Sequence, residues 1–203
     1  MIATLPPGYP AVWAIDAVLA DGGAVHVRPI RPDDAAAHRA FFAKQSPQSV
    51  YFRFFSHRTE LSDHEVTRFT TIDDHERMAF VAFLRDEMIA IGRYDRLVSG
   101  DEAEVAFAVA DEHQGRGLAT LLLEYLATYA AGNGIMRFVA ETLADNRRML
   151  DVFHAAGLRR ESRSIECGVV HLAFDTEPAG DLFRGSERGV ADPSQTARAC
   201  QDR

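Results

Sequence analysis

Between Glu104 and Thr128 the apolar positions change period once. Val105, Phe107 and Val109 alternate with alanines, the period-two pattern of a strand whose bulky face turns to a core. From there Leu118, Leu121, Leu122, Tyr125, Leu126 and Tyr129 recur at helical spacing and make one apolar face. Gly132-Asn133-Gly134 closes that helix by admitting a left-handed end. Asp111 to Arg116 follows neither period, so the stretch reads as strand, tight loop and helix, with the helix starting at about Gly117.

The remaining pattern is that of a mixed α/β chain. Residues 1–24 hold Pro6-Pro7-Gly8-Tyr9-Pro10 and Gly22-Gly23, and read as an irregular arm with at most a short strand. Val25, Val27 and Ile30 mark a strand stopped by Pro29 and Pro32. Asp33 or Asp34 is placed to cap a helix with Ala37, Phe41 and Phe42 inward. Ser49–Phe55 reads as a short helix burying Tyr51, Phe54 and Phe55, and Ser62 followed by Glu65 is a capping box opening another. Ala79–Leu84 and Met88–Leu97 form a hairpin around Arg85-Asp86-Glu87. Met136–Glu141 is a strand, and Asp145 or Asn146 caps a helix with Met149, Leu150 and Phe153 inward, ended by Gly157. Leu158–Ile165 and Val169–Phe174 make a last hairpin, and residues 176–203 have the composition of a disordered tail.

A helix that begins in a glycine-containing loop offers unpaired backbone N–H groups and the positive end of its dipole. Gly115 and Gly117 let the backbone approach an anion closely, and Arg116 adds positive charge, so a pyrophosphate fits here. The same glycines also serve a plain strand-to-helix turn. A Walker A loop is excluded because the only lysine, Lys44, lies far away. A dinucleotide fingerprint fits poorly because Thr120 stands where its third small residue belongs.

Composition narrows the classes. A chain of 203 residues, 47% hydrophobic, supports one core rather than two domains. The formal charge of −8 argues against nucleic-acid and acidic-membrane surfaces and suits a cationic partner. Cys167 and Cys200 form neither a metal spacing nor a disulfide framework, which points to a reducing cytoplasm. There is no charged n-region for a signal peptide, and no apolar run approaches the ~20 residues of a membrane span. The eight histidines contain no His-x-x-x-His pair, and there is no Gly-x-Ser-x-Gly elbow, so no metal and no serine nucleophile is expected.

Gln114-Gly115-Arg116-Gly117-Leu118-Ala119, placed after a strand carrying Glu104 and before an amphipathic helix, resembles the pyrophosphate loop of the GNAT acetyltransferases. Val25–Asp34, Ser49–Phe55, Phe69–Asp74 and Gly92-Arg93-Tyr94 look like the Pat-like subgroup of bacterial protein lysine acetyltransferases. The resemblance covers roughly residues 16–175. It implies a GNAT fold, a mixed and mostly antiparallel sheet of about six to seven strands flanked by helices, in a domain spanning 25–175.

It further implies acetyl-CoA as acyl donor and a protein lysine as acceptor, an acyl-CoA synthetase being the typical partner. Glu104 matches the family's catalytic base. A base is needed because a lysine amine with pKa near 10.4 is almost wholly protonated at neutral pH. Partial burial of such a carboxyl would make it a better base. Phe107, Ala108 and Val109 would pair with the pantetheine arm, and the segment Gln114, Gly115, Arg116, Gly117, Leu118, Ala119 and Thr120 would hold the pyrophosphate. Asn146 matches a cofactor-contacting asparagine, although a plain N-cap explains it too. Phe153 stands where many relatives have a tyrosine that protonates the leaving thiolate. Asp73 and Asp74, in an acidic run from Glu60 to Glu76, would border the acceptor site. Two other readings use the same loop, a small-amine acetyltransferase and a non-catalytic CoA-binding sensor.

Overall fold

The structure, a computed structural model, describes residues 8–73 and 75–178. Its strands are Ile15–Val18 (β1), Ala24–Pro29 (β2), Arg77–Leu84 (β3), Glu87–Arg96 (β4), Glu102–Val109 (β5), Arg137–Leu143 (β6), Leu158–Glu166 (β7) and Val169–Pro178 (β8). Its helices are Ala35–Ala43 (α1), Pro47–Phe54 (α2), Asp63–Thr70 (α3), Leu118–Gly132 (α4) and Arg147–Ala155 (α5). The strands make one sheet of eight in the order β1-β2-β3-β4-β5-β6-β8-β7. Every pairing is antiparallel except that of β5 with β6. This is the mixed, mostly antiparallel architecture the sequence implies, with more strands than six or seven. One of them is β1, which lies in the stretch read as an irregular arm and pairs with β2.

Strand β3 explains the layering. Met78 to Phe83 form an unbroken buried run, because this strand is covered on both faces. Met78 and Phe80 pack with Val105, Phe107, Leu122 and Leu126 under α4, while Ala79 and Val81 pack with Ile30, Phe41 and Ile91 on the opposite face under α1. Helix α4 is more enclosed than a single stripe predicts: Leu123, Ala127 and Ala130 are buried alongside Leu118, Leu122, Tyr125, Leu126 and Tyr129, and Leu121 is only partly covered.

Local details depart from expectation where a tertiary partner intervenes. Asp34 does not cap α1 with its side chain. Its carboxylate instead accepts bonds from Arg28 at 2.6 and 2.8 Å and from the Arg31 N–H at 2.7 Å, a buried pair tying β2 to the helix start. Helix α2 buries Val50, with Tyr51 and Phe54 partly covered, and it ends at Phe55 in a left-handed turn with that ring exposed. The Ser62 capping box forms as written: Ser62 Oγ accepts from the Glu65 N–H, and Glu65 accepts from the Ser62 N–H at 2.9 Å. Asp74 and the residues beyond 178 lie outside the described residues.

Candidate functional site

The one parallel pairing is brief. β5 is laddered to β4 from Ala103 to Val109, but to β6 only through Glu102, Ala103 and Glu104. Beyond Glu104 the two strands diverge, and β6 continues to Leu143 paired on its far side with β8. The β5 edge from Val105 to Val109 therefore faces a wedge with no strand partner among the described residues, and an edge of free N–H and C=O groups is a template for an extended ligand.

The wedge opens onto the glycine loop. Gly115 and Gly117 have φ of +77° and +85°, the left-handed region in which a Cβ is strained, and Gly117 is the N-cap of α4. Gly117, Leu118, Ala119 and Thr120, at the start of this 15-residue helix where backbone N–H groups lack intrahelical partners, line the same opening. Wedge and loop together bound a cleft of about 690 Å³.

Hydrogen bonds lace the far wall to this loop. Asp111 Oδ2 accepts from the Ser46 N–H at 2.8 Å, and Oδ1 accepts from Ser49 Oγ at 2.6 Å. Burial pushes the Asp111 carboxyl up, but the bonds from Ser49 and Ser46 outweigh it and leave it below the ordinary value. Gln114 Nε2 donates to Ser49 Oγ at 3.2 Å and to the Val109 carbonyl at 3.3 Å, while its Oε1 accepts from Arg148 at 2.6 Å. Gln114 thus joins α2, β5 and α5 at one point.

Of the residues singled out from sequence, Phe107, Ala108, Val109, Gln114, Gly115, Gly117, Leu118, Ala119, Thr120 and Asn146 line this cleft. Asn146 is buried and also caps α5, accepting from the Met149 N–H at 3.3 Å. Arg116 is turned away: it donates to Asp21 at 2.5 and 3.3 Å and to His113 Nδ1 at 2.8 Å, and it is not part of the lining. Phe153 is also outside, buried and stacked on Phe174 at 5.1 Å. Asp73 is exposed; its Oδ1 accepts from the N–H groups of Glu76 and Arg77 at the start of β3, both at 2.8 Å, and its Oδ2 from Arg77 Nε at 3.2 Å. Asp74 lies outside the described residues.

The structure adds Ser46, Ser49, Phe52, Arg53, Arg147 and Arg148 to the lining. Arg147 and Arg148 carried a signal. Cations in a helix's first turn oppose its dipole, so such a pair calls for a nearby anion.

Glu104 lies on the other face of β5, with Ala106 and Ala108, and is exposed rather than partly buried. Directly across the ladder stands Asp95, held by Arg68 at 3.0 Å and by Arg93 at 3.4 Å. The acidic run beside this face is largely neutralised by arginines: Asp63 pairs with Arg39, Glu65 with Arg58, Asp73 with Arg77 and Glu76 with Arg96. It is no bare anionic groove. Glu65 is held down near 2 by the Ser62 N–H and hydroxyl and by Arg58. Arg53 meets no carboxylate within ion-pair distance among the described residues. Burial and Arg93 lower it to about 10, against the opposing pull of Glu104 and Asp95. Among the described residues no cluster of metal-ligating side chains occurs and no helix is long and apolar enough to cross a membrane.

Residues 25–159 match a family described as "Acetyltransferase (GNAT) domain". An acetyltransferase of Pseudomonas aeruginosa is 33% identical over 143 residues, 68% of this chain and 77% of that protein. The acetyltransferase Pat of Mycolicibacterium smegmatis is 38% identical over 79 residues, which are 37% of this chain and 22% of that much longer protein. Among solved structures, the GNAT domain of S. lividans PAT superposes with a TM-score of 0.77 at 46% identity, covering 82% of this chain and 99% of that domain.

Proposed function

The chain belongs to the GNAT acetyltransferase family, in its Pat-like subgroup, and we propose that this acyltransferase moves an acetyl group from acetyl-CoA to the Nε-amine of a protein lysine. The observation that carries the reading is the wedge between β5 and β6 opening onto the N-terminus of α4. Main-chain groups of Phe107 to Val109 pair with the amides of the pantetheine arm. The N–H groups from Gly115 to Thr120 take the pyrophosphate, and Arg148, fixed by Gln114 in the cleft lining, supplies a cation beside it. Arg116 acts at one remove, clamping the β1–β2 turn against the loop through Asp21.

In the transfer step Glu104 accepts a proton from the lysine ammonium, directly or through one water, and the freed amine attacks the thioester carbonyl. A C–N bond forms, the C–S bond breaks, and coenzyme A leaves as thiolate. Backbone donors at the end of β5 stabilise the tetrahedral oxyanion. A thiol of pKa near 8.5 leaves adequately without a general acid, consistent with Phe153 being committed to the core. The exposure of Glu104 supports a large acceptor over a small enclosed amine.

The test is thiol release from acetyl-CoA with two acceptors in parallel, a folded acyl-CoA synthetase with its active-site lysine and a panel of small amines. Turnover confined to the protein acceptor is the expected result. Turnover confined to a small amine overturns the acceptor assignment, and binding of acetyl-CoA without turnover overturns the catalytic one.

A further inference from the structure

Behind the α1–α3 face of β4 and β5 lies a second, inner cavity of about 30 Å³, walled by His38, Ser49, Arg53, Phe69, Arg93 and Ala108, among others. Its walls are mostly apolar, yet they carry two guanidinium groups. Arg93 is 5% exposed, lies 4.6 Å over the Phe69 ring, and shares Asp95 with Arg68 through Nε. Its Nη2 is buried without a hydrogen-bond partner among the described residues. His38, 6% exposed, likewise has Nδ1 buried and unpartnered. Arg53 rests over Phe54 at 5.0 Å and meets no carboxylate within ion-pair distance among the described residues. Arg68 and Arg93 thus share one carboxylate, that of Asp95, and Arg53 reaches none among the described residues. Buried donors without acceptors cost free energy that a bound anion would recover.

The cavity adjoins the cofactor cleft: Ser49, Arg53 and Ala108 line both. Glu104, on the acceptor side, lines neither. A chain extending from a thioester held beside Phe107 to Val109 reaches the cavity past Ala106 and Ala108, whose methyl groups leave it room. A space of this size holds about two water-sized groups, the number of oxygens in one carboxylate.

From the buried Arg93 guanidinium N–H and the buried His38 ring nitrogen, neither with a hydrogen-bond partner among the described residues, and from the walls the cavity shares with the cofactor cleft, we infer that it is an acyl-end pocket for a carboxylate. Besides acetyl, the site takes a short dicarboxylic acyl group, of the malonyl or succinyl class, with its free carboxylate between Arg53 and Arg93. The inference rests on the acyl-CoA reading of the larger cleft. Transfer is balanced as for acetyl: the amine forms the amide bond, the C–S bond breaks, and the distal carboxylate is unchanged.

The experiment compares kcat/KM for acetyl-, butyryl- and succinyl-CoA with one protein acceptor. Butyryl-CoA has the same reach up to the terminal group and carries a methyl in place of the carboxylate. Succinyl-CoA is expected to exceed butyryl-CoA by tenfold or more, and Arg93→Met to invert that ratio, a readout independent of the folded fraction. A succinyl-to-butyryl ratio of one or less, with acetyl turnover intact, overturns the inference. So does a ratio that Arg93→Met leaves unchanged. A donor ratio near one combined with faster acetyl transfer to amines bearing a neighbouring carboxylate would give the pocket to the acceptor instead. Failure of acetyl-CoA itself to bind is a different result, which removes the cleft assignment and this inference with it.

Discussion

Asp95 and Glu104 face each other directly across the β4–β5 ladder, and of the two only Asp95 has an ion-pair partner among the described residues. Like charges opposite one another in a sheet repel. Arg68 and Arg93 absorb the charge of Asp95, and Glu104, with no ion-pair partner among the described residues, is the carboxylate to which the proposed mechanism assigns the proton of the incoming amine. Glu104→Gln is therefore expected to lower kcat by roughly a hundredfold or more, the scale of a lost general base. Acetyl-CoA affinity by calorimetry should stay within about twofold, a loss confined to the chemical step. A rate that does not change removes Glu104 from the mechanism.

The two arginines nearest the glycine loop should behave differently. Arg148 lines the cleft and is oriented by Gln114, whereas Arg116 is occupied by Asp21 and His113. Arg148→Ala is expected to raise KM for acetyl-CoA roughly tenfold, the loss of one charge-assisted bond of about 1.4 kcal/mol. Arg116→Ala should change it less than about twofold, since that guanidinium lies outside the cleft. Equal effects would contradict the orientation described.

Gly92 sits opposite Phe107 in the ladder, where an added Cβ would come within 2.8 Å of the Phe107 ring and 3.1 Å of Leu122. Phe107 is a buried part of the core under α4, so it cannot simply swing out. Gly92→Ala should destabilise by about 1–3 kcal/mol, the usual cost of overpacking, as read by urea denaturation. It should also weaken acetyl-CoA binding, because β5 must shift to make room.

His38 supplies a pH dependence. Burial, then Arg93, Arg53 and Arg39, hold it down near 4, against 6.5 for a free imidazole. As pH falls through about 6.5 the unfolded chain binds a proton that the folded chain refuses until about 4. The folded state therefore loses ground progressively across that window, by about 3 kcal/mol at its lower end. His38→Asn should flatten stability against pH between these limits relative to the parent. Parallel curves for the two proteins would show that His38 does not titrate as described.

The strand, loop and helix around Gly115 were legible because two apolar periods meet there and glycines mark the junction. Cross-strand and cross-layer relations were not. Nothing in the local sequence tells that Arg116 faces Asp21, 95 positions away, that Phe153 stacks on Phe174, or that the Glu60–Glu76 acids are matched by arginines from other elements. The run Ser49–Phe55 looked like a core of rings, yet Val50 is its buried residue, and the polar Ser49 and Arg53 are the ones that reach both cavities. A helix that covers a sheet edge shows only part of its face to the core, and ring content alone does not reveal which part.

The wedge beside β5 also bears on how this site would register in a survey that replaces one side chain at a time. Its groups are the N–H and C=O of Val105 to Val109 on the edge that β6 leaves open, and every residue except proline carries the same pair. Conservative exchanges at Ala106 or Ala108 would leave that edge intact, so on the proposed reading the stretch would score as tolerant while still holding the cofactor. Proline is the substitution that exposes it, because it deletes a donor and fixes the backbone without adding charge or much bulk.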